Sequence, residues 1–361
     1  MKSDSVLILE NGMCFGGSSF GADTESIGNI VFNTATAGYQ EILTDPASKG
    51  QILTMTYPMV GSYGVNSIDA QSERVHSAGL VVKKYVNRPF HYRSEMNLGQ
   101  YLKKFQVPAI EGVDTRKLVI TLRDTGPISA GIFIGKNYSD SLLEKVKSYS
   151  KGELDLAVTA TTILTTRQPY RFSNLVNKRY RVAVIDFGVK RSTLQKLDEA
   201  NFEVHVFPAN TSAADIAGFD AIFLSHGPEN PTVNSNQVES FLELRKPIMA
   251  IGVGQQMIAH SKGSQVTKQK SAGQGGNSVR EMTTGQVKMV NSNSMYYSDL
   301  SNVKDIIINF EDVNSNMAQG FSNSESPILA VSFSPEGTPG PQDTLHLYSD
   351  FYRLVETSIH K

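Results

Sequence analysis

From Arg181 to Ile251 four short apolar runs alternate with segments of helical spacing, and few folds accept that pattern. The runs are Arg181-Val-Ala-Val-Ile-Asp186, Phe202-Glu-Val-His-Val-Phe207, Asp220-Ala-Ile-Phe-Leu-Ser225 and Pro247-Ile-Met-Ala-Ile251. Leu194 and Leu197 follow the first run, and Val238, Phe241 and Leu242 fall at i, i+3, i+4 before the last. Strands that alternate with helices build a parallel, doubly wound sheet, which takes its ligands at the carboxyl ends of the strands. A final strand over Pro327–Phe333 precedes a C-terminal helix with Leu347, Phe351 and Leu354 on one stripe.

Upstream the pattern is mixed. Ser5–Leu9, Asn29–Phe32 and Gln51–Thr56 read as strands. Asp114 is placed to cap a helix over Thr115–Asp124, which carries Leu118 and Leu122 on one face and ends near Gly126; a second helix is expected over Leu142–Ser148. A chain of 361 residues suffices for two domains with sizeable cores. The expected division is a mixed α/β domain over 1–150, a Thr-rich linker over 151–178 and the doubly wound domain over 179–361.

Several function classes drop out early. A net charge of −1 and the absence of a Lys/Arg-rich run argue against nucleic acid and membrane surfaces as partners. No apolar run approaches a membrane span and the N-terminus has no signal-peptide core, so a cytoplasmic location is expected. Cys14 is the one cysteine, which rules out an internal disulfide and a thiolate metal cluster. It follows Glu10-Asn-Gly12, a type I′ hairpin signal, and reads as a half-buried strand residue behaving as a small hydrophobe. Seven scattered histidines without i,i+4 spacing give no expectation of a metal. Gly252-Val-Gly254 lacks the third glycine of a dinucleotide fingerprint, and no loop is built to cradle phosphate, so no cofactor is expected in this chain.

The passage from Pro247 to Gln256 has the layout of a nucleophile elbow: a short strand, small residues, then a helix over Gln255–Ser261. Such a turn needs Cys or Ser at its tip. Here the tip is Gly252.

Around that elbow stand Leu224-Ser-His-Gly-Pro-Glu-Asn-Pro231, at a strand end, and Phe333-Ser-Pro-Glu-Gly-Thr-Pro-Gly-Pro341. Together they resemble a class I (triad) glutamine amidotransferase domain, whose fold is flavodoxin-like. Val31–Pro46, Gly50–Pro58, Gly112–Leu118 and Asp186-Phe-Gly-Val-Lys190 narrow the resemblance to the small subunit of carbamoyl-phosphate synthetase. The similarity runs from Ser5 to the C-terminus in one order.

What the resemblance implies for the site is chiefly loss. The family's nucleophilic Cys falls on Gly252 and its catalytic His on Ser334, while the orienting carboxylate survives as Glu336. A glutamine-contacting Ser falls on Ala47, and the segment lining the glutamine site reads Ser292-Asn-Ser-Met-Tyr296, so that Met295 and Tyr296 are departures. The oxyanion turn keeps Gly227 and Pro228 but has Glu229 for its second glycine. A residual pocket of Gly227, Val253, Gln256 and Asn293 remains, for glutamine or another small molecule. Of Ser225 and His226, which flank the oxyanion turn, His226 is expected to have a local hydrogen-bonding role.

Loss of a nucleophile or base costs about 10⁴–10⁶-fold, and a serine hydroxyl has no useful proton affinity near neutral pH. The resemblance therefore implies a glutaminase-dead small subunit. It would act as a structural or ammonia-gating partner of a large subunit that makes carbamoyl phosphate for arginine and pyrimidine synthesis. Some branches of that family have lost the cysteine and use ammonia. The alternative is a stand-alone pseudoenzyme, a binding protein detached from the synthetase. Preservation of the N-terminal motifs favours the first.

Overall fold

The computed structural model describes residues 4–149, 170–172, 179–228, 230–233, 235–269, 273–323 and 326–360. Most of the expected linker, and Glu229, lie outside them. The chain divides into two units, Met1–Leu154 with Gln269–Gly275, and Asp155–Lys268 with Gly276–Lys361.

In the N-terminal unit the apolar runs become strands β1 (Ser5–Leu9), β2 (Cys14–Ser19), β3 (Ser26–Asn33), β4 (Gln51–Met55), β5 (Gly79–Val82), β6 (Ala109–Glu111) and β7 (Ile128–Ile134). Their pairing closes on itself in the order β3-β4-β5-β6-β2-β1-β7 and back to β3. The pairs β3–β4, β4–β5 and β5–β6 are parallel and the rest antiparallel. Gly273 and Gln274 add in parallel beside Phe32 and Asn33. Helix α1 (Tyr39–Thr44) follows β3, and α2 (Leu98–Lys104) carries a capping box from Asn97 and Gln100. Asp114 caps α3 (Thr115–Thr125) by accepting from the Lys117 N–H at 3.0 Å, and Gly126 ends it; α4 spans Asp140–Tyr149.

Two details of the first hairpin differ from expectation. Only Gly12 has positive φ (+86°), so Glu10-Asn11-Gly12 forms a loop in which Leu9 N–H meets Met13 C=O, and not a type I′ turn, which needs two such residues. Cys14 is exposed, because it opens β2 on the solvent side and Phe15 takes the inward position.

The C-terminal unit is doubly wound as expected. Strands β8 (Tyr180–Asp186), β9 (Phe202–Pro208), β10 (Ala221–Leu224), β11 (Ile248–Ile251) and, later in the chain, β16 (Ile328–Val331) lie parallel in the order β9-β8-β10-β11-β16. Alternate residues of each buried run serve opposite faces. Ile185, Leu224 and Ala250 pack with α6 (Ser235–Glu243) and α7 (Val253–Ser261); Val184, Phe223 and Ile251 pack with α5 (Arg191–Glu199) and α8 (His346–Ile359). On α8 the buried stripe is Leu347, Tyr348, Phe351 and Val355, with Leu354 only half-buried.

Between β11 and β16 come strands that apolar periodicity does not announce: β12 (Gly273–Glu281), β13 (Val287–Ser292), β14 (Ile306–Asp312) and β15 (Ala318–Asn323). Of these, β15, β14 and β12 extend the sheet antiparallel beyond β16. The carboxyl ends of β8, β10, β11 and β16 therefore open beside one another, which is where the chemistry-bearing motifs sit.

Candidate functional site

The elbow has the geometry its sequence suggests. Strand β11 ends at Ile251, Gly252 turns the chain, and α7 starts at Val253, two residues earlier than expected. Gly252 has φ +53° and ψ −118°, a conformation that L side chains rarely adopt. Its N–H donates to Val331 C=O at 2.8 Å, which ties the tip to the end of β16, and its C=O accepts from the Gln256 N–H at 3.2 Å.

The space beyond the tip is filled by His226. A Cβ at position 252 would overlap this imidazole, lying 2.5 Å from its Cγ. The ring is buried at 4% exposure. Its Nδ1 accepts from the Val253 N–H at 3.2 Å and its Nε2 donates to Asn293 C=O at 2.6 Å, which fixes the neutral Nε2–H tautomer. The backbone around it is pinned: Ser225 Oγ accepts from the Phe187 N–H (2.9 Å) and donates to His226 C=O (2.8 Å). At Gly227 a Cβ would collide with the Phe187 carbonyl, so the turn admits only glycine. His226 thus makes the local hydrogen bonds expected of it, and one of them engages the Val253 N–H.

Gln256, at 1% exposure, donates from Nε2 to Ser294 Oγ (2.8 Å) and Tyr296 C=O (2.7 Å). Its Oε1 and the Asn293 Oδ1 are buried without a hydrogen-bond partner in the chain. Met295 is half-buried.

The Glu336 carboxylate is held by Lys190 and Tyr348. Asp186 Oδ1, at the end of β8, accepts from the Gly188 and Val189 N–H groups (2.9 and 2.7 Å) and so shapes the loop that delivers Lys190. Lys190, with its side chain 4% exposed, forms a buried ion pair with Glu336 and also donates to Thr338 C=O at 3.0 Å. Tyr348 on α8 donates to Glu336 Oε2 at 3.3 Å; burial, and then the Glu336 charge, holds its phenol well above its ordinary pKa. Ser334 is buried, and its backbone N–H is bonded to Asn291 C=O at 2.9 Å. Gly252 thus puts no side chain at the tip of the elbow, and Ser334 lies two residues before Glu336.

Residues 7–132 match the family described as carbamoyl-phosphate synthase small chain, CPSase domain, and residues 183–354 match glutamine amidotransferase class-I. The small chain of Aquifex aeolicus is 36% identical over 99% of this chain and 100% of its own length. That of Polynucleobacter asymbioticus is 35% identical over 98% and 96%. This chain belongs to the carbamoyl-phosphate synthase small-chain family. It is also similar in structure to a glutamine amidotransferase of Thermotoga maritima, 14% identical with a TM-score of 0.38, over 50% of this chain and 97% of that one.

Within this small chain the motif positions divide between the units. Gly227, Gly252, Val253, Gln256, Asn293 and Tyr296 are joined through His226 and Ser294, while Ser334 and Glu336 follow the neighbouring strand β16. Ala47 belongs to the N-terminal unit, where its buried methyl sits in the turn Pro46–Ser48 and its N–H is held by Asp45 Oδ1 at 2.9 Å. Lys190 and Tyr348 are site residues that motif reading did not assign. For Lys190 a signal existed, a cation ending the Asp186–Lys190 motif just past a strand; for Tyr348 none did, since it shares the apolar stripe of α8. No group of three or more His, Cys, Asp or Glu side chains among the described residues could hold a metal ion. No described helix is long and apolar enough to cross a membrane.

Proposed function

We propose that this chain serves a carbamoyl-phosphate synthetase as a small subunit without glutaminase activity, a structural and ammonia-gating partner of the large subunit. The observation that carries this reading is the elbow itself. Its tip is Gly252, an imidazole stands where a nucleophile would project, and the oxyanion donor Val253 N–H is already engaged. Covalent attack on a carboxamide needs an activated nucleophile, a base and a free donor for the oxyanion. Ser334 supplies no base.

The full-length match supports retention of the large-subunit partner. On this reading the large subunit, fed by free ammonia, makes carbamoyl phosphate for arginine and pyrimidine synthesis in the cytoplasm. Glutamine or another small molecule that entered the residual pocket would not be hydrolysed.

The test is carbamoyl phosphate production by this chain with its cognate large subunit, comparing glutamine and ammonium as nitrogen donors. Synthesis from ammonium that depends on, or is altered by, this chain is the expected result. Robust synthesis from glutamine would overturn the reading. No influence on either donor would identify the chain as a stand-alone binding protein.

A further inference from the structure

The site holds a group placed as a ligand would be, except that it is covalently part of the chain. The His226 ring is buried, uses both ring nitrogens, and takes the backbone donor at the head of α7. It cannot withdraw by a backbone shift, because Ser225 Oγ clamps the strand end on one side and Gly227 packs on the Phe187 carbonyl on the other. Nearby, Gln256 Oε1 and Asn293 Oδ1 are buried without a hydrogen-bond partner in the chain.

We propose that His226 is a built-in occupant of the elbow, and that an imidazole at 226 and a side chain at 252 exclude each other. The space is that of a neutral azole, accepting from the Val253 N–H on one side and donating to Asn293 C=O on the other. Loss of the side chain at 252 and arrival of the ring at 226 are then one structural event. No side chain can return to position 252 unless the ring first leaves. This inference rests on the reading of Gly252 as the elbow tip, and not on any role of the chain beside a large subunit.

Thermal melting of the full-length chain alone tests it, at a pH where imidazole is neutral. His226→Gly vacates the ring's place, and added imidazole is expected to raise its melting temperature saturably by roughly 2–4 °C, with no rise for the unmodified chain. 1-Methylimidazole has no N–H to give Asn293 and should be the weaker of the two. Adding Gly252→Ala to His226→Gly should abolish the rise, since the new methyl takes the vacated space.

Should His226→Gly not fold, His226→Asn carries the same question in a double-mutant cycle. Gly252→Ala is expected to lower the melting temperature more in the unmodified chain than in the His226→Asn background, where only backbone strain remains. Equal penalties in the two backgrounds, or an imidazole response shared by the unmodified chain and His226→Gly, would overturn the proposal. Failure of carbamoyl phosphate synthesis with either nitrogen donor would leave these melting shifts unchanged, so the two readings fail separately.

Discussion

Gly252→Cys, the change that would return a thiol to the elbow, is expected to leave the chain without measurable glutaminase activity. The new side chain meets the His226 ring, and Ser334 offers no base to form the thiolate. A missing base alone costs about 10⁴–10⁶-fold, so glutamate release within about a hundredfold of an intact relative would refute the expectation. The strand-to-helix turn at Gly252 was legible in the sequence, because a short apolar run passes through small residues into a helical segment. The seat of His226 was not, since it depends on the turn at Gly252 and on the neighbouring strand end. In the N-terminal unit a buried imidazole, His76, and a half-buried carboxyl, Glu41, both contribute to the pH dependence of stability. Burial, aided by the charges of Lys49 and Arg74, lowers the His76 pKa to about 4, while burial and the Asp69 charge raise that of Glu41 to about 7. With its folded pKa depressed, His76 contributes stability that is present above about 6.5 and lost as pH falls towards 4. With its folded pKa raised, Glu41 contributes stability that is present below about 4.5 and lost as pH rises through 7. Each effect is on the order of 3 kcal/mol, so the two slopes oppose one another between about pH 4.5 and 6.5. Urea midpoints across that range should rise with pH in Glu41→Gln and fall with pH in His76→Asn, relative to the unmodified chain. Parallel profiles for all three proteins would show that neither group titrates as described.

At the scale of elements, the buried pair of Lys190 and Glu336 joins the loop after β8 to the loop after β16. Removing one member leaves an uncompensated buried charge, so Lys190→Met is expected to cost about 3–5 kcal/mol. The double change Lys190→Met with Glu336→Leu should cost less than Lys190→Met alone, as chemical denaturation would show; an additive loss would mean that the pair is not coupled. Asp114→Ala is expected to cost about 1 kcal/mol through loss of the cap on α3, read from the same denaturation curves. The parallel strands and their helices were readable because buried strands are continuous apolar runs and the helices carry their stripe at 3.6 spacing. β12 to β15 were not. They are only partly buried, mix polar with apolar residues, and are irregular where β14 meets β15 at Ile308 and Phe310. Helix α7 begins earlier than expected because Gly254, a breaker by propensity, packs against Leu224, where a Cβ would come within 2.7 Å of the carbonyl oxygen.

Across the whole molecule there is one thiol, and it is on the surface. A disulfide reagent should titrate one equivalent per folded chain without denaturant; a thiol that reports only after unfolding would contradict the exposure of Cys14. The change of pattern near Tyr180 was legible in the sequence, but the grouping of Gln269–Gly275 with the N-terminal unit was not, since so short a segment carries no periodicity of its own. Nor was the closure of the N-terminal strands. Pairing of β7 with both β1 and β3 joins residues far apart in the chain, and no local pattern announces a closed ring. That closure bears on how a partner can be held. A sheet that returns to its own first strand, with the Phe32–Asn33 border of β3 already taken by Gly273 and Gln274, offers little free border along which a foreign strand could continue the hydrogen-bond ladder. Recognition at that ring must then be written in side chains, and would be open to change by point substitution, whereas strand addition, which reads the main chain, would tolerate most of them.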